Sequence, residues 1–235
     1  MKKLAIAAAL LTTTFLSQAM AADMRAPVYK APPPVAPAWN WSGFYIGVHG
    51  GYAWSNADWQ FDATPGINTG HSGDGGFAGG QIGWNFQPVG SNWVFGLEAD
   101  GAWADIKGST LCPNPAFACG HKVGALATFR GRIGYSFGPV MIYGTGGAAY
   151  GDVKFRTVGL NGVQFGSTFS DTDWGWAAGG GLEWAFSGPW SVKFEYMHYD
   201  FGSDTAPAGV LGAGPARVGL TLDTVKAGIN YRFSM

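Results

Sequence analysis

Charged side chains, cysteines and long apolar runs are all scarce in this chain. Aspartate, glutamate, lysine and arginine make up only 12 % of its 235 residues, about half the share of an ordinary soluble domain. The 14 basic and 15 acidic residues form no basic run, and nucleic-acid binding requires clustered positive charge. The longest apolar run is Leu4–Leu11, far short of the ~20 residues of a spanning helix. These absences exclude a nucleic-acid-binding protein and a helical membrane protein.

Glycine and aromatic residues are abundant instead. The chain has 39 glycines and 11 tryptophans, and aromatics make up 15 % of it. It is too apolar to be disordered, and its glycines have no period of three, which excludes a collagen-like helix. No segment after Trp39 has a convincing helical period. The composition therefore favours an all-β protein.

The amino terminus has the features of a secretory signal peptide. Lys2 and Lys3 precede an apolar segment that begins at Leu4, and Ala19-Met20-Ala21 is a small-residue cleavage motif. This pattern predicts export and cleavage between Ala21 and Ala22, so residues 1–21 are interpreted as the signal peptide.

Residues 22–38 are interpreted as a proline-rich periplasmic linker. Five prolines lie between Pro27 and Pro37, and proline favours the extended polyproline II helix and cannot donate to a sheet. The prediction is a stiff spacer. An alternative left open is a ligand segment for a periplasmic partner or peptidoglycan.

Residues 39–235 alternate with the period of two that is typical of β-strands. In Trp174–Phe186 the even positions are mostly aromatic or apolar, whereas the odd positions are small except for Glu183. The predicted strands are 44–54, 76–86, 93–103, 123–135, 140–151, 174–186, 190–200 and 218–233. The apolar face carries aromatics near the strand ends, as a lipid-facing surface does.

The opposite face mixes small residues with charges of both signs, which suits the interior of a narrow barrel. We expect those charges to pair inside it, because an unpaired buried charge is costly. The predicted interior charges are Glu98, Asp100, Arg130, Arg132, Glu183, Lys193, Glu195, Lys226 and Arg232.

The connections between predicted strands alternate between short and long. Residues 87–92, 136–139 and 187–189 carry turn-forming Gly and Pro, whereas residues 55–75, 104–122, 152–173 and 201–217 predict long loops. This alternation predicts an eight-stranded antiparallel up-and-down transmembrane β-barrel with external long loops and periplasmic termini.

Two segments carry a resemblance to a known family. The segment Trp41–Gly47, which follows Ala26–Pro34, and the terminal segment Val225–Phe233 resemble the small eight-stranded outer-membrane proteins of Gram-negative bacteria. That family includes porin-family and outer-membrane immunogenic proteins, and is similar to opacity proteins and the OmpA membrane domain. The resemblance implies that Tyr231 and Phe233 form the signal read by the outer-membrane insertion machinery. Ser234 and Met235 depart from the usual terminal aromatic residue.

Cys112 and Cys119 are the only cysteines and lie in a predicted external loop. Export to an oxidising compartment predicts a disulfide between them. The alternative is zinc held by both cysteines and His121, for which no fourth ligand is evident. We predict no metal and no cofactor.

A remote alternative is a lipid A-modifying enzyme. His198, Asp200, Thr221 and Asp223 share the outward face near the external end, but no serine is evident there. His49 faces inward, and His71 and His121 fall in predicted loops. No recognisable catalytic set results, so a non-enzyme is predicted.

The sequence thus predicts an integral outer-membrane protein with an envelope-structural or surface-interaction role and at most a narrow pore. The partners expected are outer-membrane lipids, lipopolysaccharide and the insertion machinery, with a monomer favoured. Two alternatives stay open: a porin-like diffusion channel, and loops that bind haem or a host surface.

Overall fold

Eight long β-strands make up nearly all of the described chain. The computed structural model describes residues 39–61, 68–112, 114–159, 161–211 and 214–233. The strands are β1 (Gly43–Phe61), β2 (Asn68–Phe86), β3 (Trp93–Leu111), β4 (Phe117–Phe137), β5 (Val140–Gly159), β6 (Gln164–Ser187), β7 (Trp190–Ala206) and β8 (Ala216–Phe233). The predicted signal peptide, with its Ala21–Ala22 cleavage point, the proline-rich linker, Ser234 and Met235 lie outside the described residues.

The strands form one closed barrel in chain order. Each strand pairs antiparallel with its sequence neighbours, and β1 also pairs with β8 from Phe44↔Phe233 to Phe61↔Ala216. Closure leaves no open strand edge, which is what a sheet needs in order to cross a bilayer. The predicted fold class is confirmed. Among the described residues, no helix is long and apolar enough to cross a membrane.

Three tight turns join the strands at the end that was predicted to face the periplasm. Gly90, Gly138 and Gly188 adopt φ angles of 75°, 73° and 50°, in the left-handed region that residues with a Cβ rarely enter. Each glycine lies in one of the short connections that the sequence predicted. The turns therefore set the β2–β3, β4–β5 and β6–β7 registers.

Apolar side chains cover the outer wall between two girdles of aromatic residues. The outward-facing side chains of Trp54, Trp103 and Trp174 are 47 %, 82 % and 70 % exposed, respectively. These tryptophans, with Tyr150, define an upper girdle. A lower girdle of exposed aromatics lies near the turns: Phe44, Phe86, Trp93, Phe137, Phe186, Trp190 and Phe233. The part of each strand between the girdles is the membrane-spanning part.

The strands continue well beyond the upper girdle, where long loops were predicted. The connections at that end are only 62–67, 112–116, 160–163 and 207–215. Above the girdle the alternation persists with reversed polarity, so that Asp58 is exposed while Ala57 and Trp59 are buried. The reversal has a physical cause, because the outer wall there meets water instead of lipid.

Register shifts interrupt several strand pairs, and the two on either side of β4 change which of its residues face inward. The β3–β4 register shifts between Trp103 and Ile106, and the β4–β5 register shifts between Val123 and Ala125. Alternation along the predicted strand 123–135 puts Val123 on the outward face together with Ala125, yet Val123 is fully buried in the interior. That prediction was wrong because a bulge inserts one extra residue and inverts the side-chain parity on one side of it.

Candidate functional site: the closed interior of the barrel

A network of charged side chains fills the middle of the barrel. Each member projects inward from β3, β4, β6, β7 or β8, and each side chain is at most 5 % exposed. The members of this lumen network are Glu98, Asp100, Arg130, Arg132, Glu183, Lys193, Glu195 and Lys226. Four acids thus face four bases, and the structure places eight of the nine predicted interior charges together.

Arg130 joins three carboxylates. Its Nη2 lies 2.6 Å from Oε1 of Glu98 and 2.7 Å from Oδ2 of Asp100, and its Nη1 lies 2.9 Å from Oε1 of Glu195. Ionised donors and acceptors at these distances form strong hydrogen bonds. The guanidinium therefore links β3, β4 and β7 across the lumen.

Two lysines complete the pairing on the other side. The ammonium of Lys193 lies 2.8 Å and 2.9 Å from the two carboxylate oxygens of Glu98. The ammonium of Lys226 lies 2.9 Å from Oε1 of Glu195. Each buried charge thus has an opposite charge in contact, which offsets the cost of its desolvation.

Arg132 occupies a second part of the network, nearer the periplasm. Its Nη2 donates to Oε2 of Glu183 at 2.9 Å, and its guanidinium carbon lies 4.0 Å from the ring centroid of Tyr143. Tyr45 accepts from Arg132 at 3.0 Å and donates to Glu98 at 2.6 Å. The phenol of Tyr45 therefore connects the two parts of the network.

Arg232, the ninth predicted interior charge, lies elsewhere. It is half-buried, and its guanidinium carbon lies 4.8 Å from the ring centroid of Trp39 and 5.1 Å from that of Trp41. The expectation that Arg232 joins the central ion pairs was wrong. Its position near the end of β8 puts it at the periplasmic mouth, beside these two aromatic rings.

Trp41 closes that periplasmic mouth. It is fully buried, and its indole Nε1 donates to the hydroxyl of Ser136 and to the carbonyl of Gly138, both at 3.0 Å. Its ring packs in a cluster with Val94, Met141, Tyr143 and Ala185. We call this cluster the periplasmic plug. The sequence revealed the motif that contains Trp41 but not this role.

An apolar core fills the barrel above the lumen network. Trp59, Ile106, Val123, Phe155 and Leu222 are among its fully buried members, and the rings of Trp59 and Phe155 lie 5.7 Å apart. We call this cluster the extracellular core. Along β4 the inward residues run from Ser136 through Arg132 and Arg130 to Leu126 and Val123. The periplasmic plug, the lumen network and the extracellular core are therefore stacked along the barrel axis, and we call them the three closures.

The β7–β8 connection adds a cap to the extracellular core. Leu211 is buried within it, and its carbonyl accepts a 2.9 Å hydrogen bond from the hydroxyl of Thr157 on β5. The connection therefore folds inward over the mouth.

A polar group is buried in the extracellular core. The hydroxyl of Ser55 lies 2.8 Å from Nε2 of His121, whose Nδ1 lies 2.8 Å from Nε2 of His71. Both histidines were predicted in loops, but they lie on β2 and β4, which extend above the membrane. Burial lowers the pKa of His121 to about 4, and His71 adds to that effect. Burial also lowers the pKa of His71.

The predicted disulfide between Cys112 and Cys119 is confirmed. Cys119 lies in β4 rather than in a loop, and Cys112 directly follows β3. The bond removes both thiolates from metal binding, which rules out the zinc alternative with His121. Within the described ranges, no group of three or more His, Cys, Asp or Glu residues is placed to hold a metal ion.

A small polar group faces outward near the upper girdle. Nδ1 of His198 lies 2.8 Å from Oδ1 of Asp223, and Tyr196 donates its phenol to the same oxygen at 2.6 Å. Asp200 pairs in register with Thr221 on β8. The residues singled out for the enzymatic alternative are thus neighbours, and a tyrosine is the hydroxyl partner in the group.

The predicted insertion-signal residues end the barrel's last strand. Phe233 is exposed on the outer wall, and its ring lies 5.0 Å from that of Tyr231. The signal role of this pair stays a prediction.

A family model described as an outer membrane protein beta-barrel domain matches residues 7–233. The chain belongs to this family. The 31 kDa outer-membrane immunogenic protein of Brucella melitensis is 34 % identical over 232 residues, which cover 93 % of this chain and 95 % of that protein. The 25 kDa outer-membrane immunogenic protein of Brucella abortus is 32 % identical over 235 residues, 99 % of each chain.

Among solved structures, OprG from Pseudomonas aeruginosa aligns with a TM-score of 0.47 at 15 % identity, covering 82 % of this chain and 97 % of that one. The family match confirms the resemblance stated from the sequence. The protein is an outer-membrane β-barrel protein, integral to the outer membrane, and two of its relatives are named outer-membrane immunogenic proteins.

Proposed function

We propose that this outer-membrane β-barrel protein is a closed barrel that spans the outer membrane and displays a surface to the outside, without conducting solutes. The observation that carries the proposal is the stack of three closures: the periplasmic plug, the lumen network and the extracellular core. An eight-stranded barrel is only just wide enough for its own side chains. Here, charged groups fill the membrane-spanning part and apolar side chains fill the part above it.

The part of the barrel that rises above the membrane supports the surface role. The barrel wall rises above the membrane and carries polar outward residues. The two Brucella relatives are named immunogenic outer-membrane proteins, and immune recognition requires an exposed surface. We infer that the raised wall and its connections are what the protein presents.

The alternative of a porin-like channel needs all three closures to open together. Breaking one buried ion pair is costly, and it would leave Trp41 below and Trp59 above still in place. The proposal therefore predicts that no single closure controls conductance.

Conductance in a planar bilayer tests this proposal. The mature protein, refolded and shown to insert, should give no stable openings. Variants that open one closure each should stay silent: Trp41→Ala, Arg130→Gln with Glu98→Gln, and Trp59→Ala with Phe155→Ala. The combination of all three should conduct. Stable openings of the unmodified protein that change with Arg130→Gln would overturn the closed-barrel proposal.

We further infer that the outward group around His198 is not catalytic. Its carboxylate is shared by an imidazole and a phenol, and tyrosine at this height is typical of the lipid interface. Mass spectrometry of lipid A from cells that express the protein tests this point. Loss of an acyl chain from lipid A in cells that express the protein, and full acylation in cells that express His198→Ala, would establish an enzyme instead.

A further inference from the structure

Three lysines stand side by side on the outer wall above the membrane. Lys107 on β3 pairs in register with Lys122 on β4, and Lys122 pairs with Lys154 on β5. All three side chains face outward and are 48–56 % exposed. Neighbouring strands are about 4.8 Å apart, and like charges directly opposite each other destabilise a sheet. The fold alone gives no reason for this lysine row.

Among the described residues, two carboxylates contact the three lysines, and a third, Asp74 on β2, pairs in register with Lys107 without forming an ion pair with it. Asp105 lies 2.8 Å from the ammonium of Lys107 and 3.4 Å from that of Lys122, and Asp152 lies 3.3 Å from that of Lys154. Both acids stand two positions nearer the membrane, so they contact the lysines from below. Such exposed pairs are weak and can exchange for another anion.

A second row of in-register residues lies directly above the lysines, and its middle member is a glycine. Arg156 on β5 pairs with Gly120 on β4, which pairs with Ser109 on β3. The absence of a side chain at Gly120 leaves a depression of about 470 Å³, whose lining includes Lys107, Ser109 and Arg156. Among the described residues, no carboxylate lies within ion-pair distance of Arg156. The guanidinium of Arg156, the hydroxyl of Ser109 and the lysine row thus surround this depression, which we call the notch.

The height of the notch indicates what can reach it. Lys107 and Lys154 each lie four positions beyond an upper-girdle residue, Trp103 and Tyr150. At ~3.3 Å per residue and a strand tilt of about 40°, this is about 10 Å above the girdle. A phospholipid headgroup layer is only ~5–8 Å thick. In the outer leaflet, the anions at this height are the phosphorylated sugars of lipopolysaccharide.

We propose that the notch over Gly120 binds a sugar phosphate of lipopolysaccharide. The phosphate displaces Asp105 and Asp152 from the lysine row and binds the three ammonium groups, Arg156 donates from the side, and Ser109 contacts the sugar. This goes beyond general contact with membrane lipid, because it assigns the recognition to one wall of the barrel. It relies on the orientation of the barrel and not on whether the lumen conducts.

Binding of three lipids to the full mature protein in detergent micelles tests the proposal. The probes are bisphosphorylated lipid A, the same lipid A with its phosphates removed, and phosphatidylglycerol, with bound lipid counted by native mass spectrometry. We expect bisphosphorylated lipid A to bind at least about tenfold more tightly than the dephosphorylated form, since several charge-assisted contacts are lost. Equal binding of the two lipid A forms would overturn the proposal, and tighter binding of phosphatidylglycerol would assign the site to a phospholipid instead.

Matched variants locate the site. Lys122→Gln should weaken binding of bisphosphorylated lipid A about fivefold, and Gly120→Val should weaken it by filling the notch. Arg217→Gln removes an exposed cation on β8 and should leave affinity unchanged. Asp105→Asn removes a competing carboxylate and should strengthen binding, an effect that a folding defect would not produce. Equal losses for Lys122→Gln and Arg217→Gln, or weaker binding for Asp105→Asn, would contradict the assignment.

Discussion

The indole of Trp41 and the hydroxyl of Ser136, 95 residues apart in sequence, are joined by a 3.0 Å hydrogen bond across the periplasmic mouth. Trp41 precedes the first strand, so a residue outside the barrel strands closes the periplasmic mouth. The backbone N–H of Trp41 also donates to the side-chain oxygen of Gln87, just after β2, at 2.8 Å. The residues ahead of β1 are thereby fixed to two of the three periplasmic turns.

Replacing Trp41 should therefore destabilise the barrel more than replacing a lipid-facing tryptophan. Trp41→Phe keeps most of the packing and loses the indole donor, at a cost of about 1–2 kcal/mol. Trp41→Ala also leaves a cavity and should cost about 3–5 kcal/mol. Urea unfolding in lipid vesicles measures both, with Trp93→Phe on the outer wall as the control. A loss for Trp93→Phe that equals that for Trp41→Phe would contradict the plug.

Glu98 should be among the carboxylates most important for stability. It contacts Arg130 and Lys193 and accepts from Tyr45, so Glu98→Gln leaves buried positive charge uncompensated. We expect a loss of about 3–5 kcal/mol. Asp105→Asn, which breaks exposed ion pairs only, should leave the unfolding midpoint unchanged. Similar midpoints for the two variants would show that the lumen network contributes little.

The histidine pair should make stability fall at acid pH. Burial lowers the pKa of His121 from 6.5 to about 4, so as pH falls the unfolded chain takes up the proton first. The free energy of unfolding is then highest above pH ~6.5 and decreases as the pH falls toward ~4. The loss is at most about 3 kcal/mol for one histidine, at about 1.4 kcal/mol per pKa unit.

Unfolding measured at a series of pH values checks the pH prediction. His121→Phe should flatten the curve between pH ~6.5 and ~4. A curve for His121→Phe that matches the unmodified protein would assign the pH dependence to other groups.

Gly83 should not tolerate a side chain. A Cβ at this position would overlap the phenol end of Tyr45, the side chain that links the two parts of the lumen network. Gly83→Ala should therefore destabilise the barrel by about 1–3 kcal/mol through overpacking. Gly80→Ala is the matched control, because a Cβ there meets only the carbonyl oxygen of Gly47, at 3.6 Å. Equal stability of the two variants would contradict this reading of Tyr45.

Removing the disulfide should have a limited effect. The backbone N–H of Cys112 donates to the carbonyl of Phe117 at 2.9 Å, and that of Phe117 donates to the carbonyl of Asn114 at 3.0 Å, so the connection keeps hydrogen bonds without the bond between sulfurs. Cys112→Ser with Cys119→Ser should cost about 2–3 kcal/mol or less, given the short loop. Limited proteolysis and urea unfolding, with and without reductant, measure it. Failure of the double variant to fold would contradict this expectation.

The sequence by itself determined the membrane part of this protein. Alternation with a period of two, aromatics such as Trp93 and Trp174 on one parity, and glycines in short turns were enough to predict eight antiparallel strands and the interior charges. The reason is that every outward side chain in the membrane must be apolar, because it contacts lipid. The resulting pattern can be recognised within a single strand. Export and two cysteines were likewise enough to predict the disulfide.

Only the tertiary structure decided the conformation of the segments above the upper girdle, where the outward side chains no longer contact lipid. Above the girdle the outward residues become polar and the inward ones apolar, as in Asp58 and Trp59, and the period alone does not say that such a segment is still strand. The bulge at Val123 inverts the parity without a sequence signal. Contacts across the lumen, such as Trp41 with Ser136 or His121 with His71, depend on the registers of all eight strands together. Those registers determine that the barrel is closed and which residues close it.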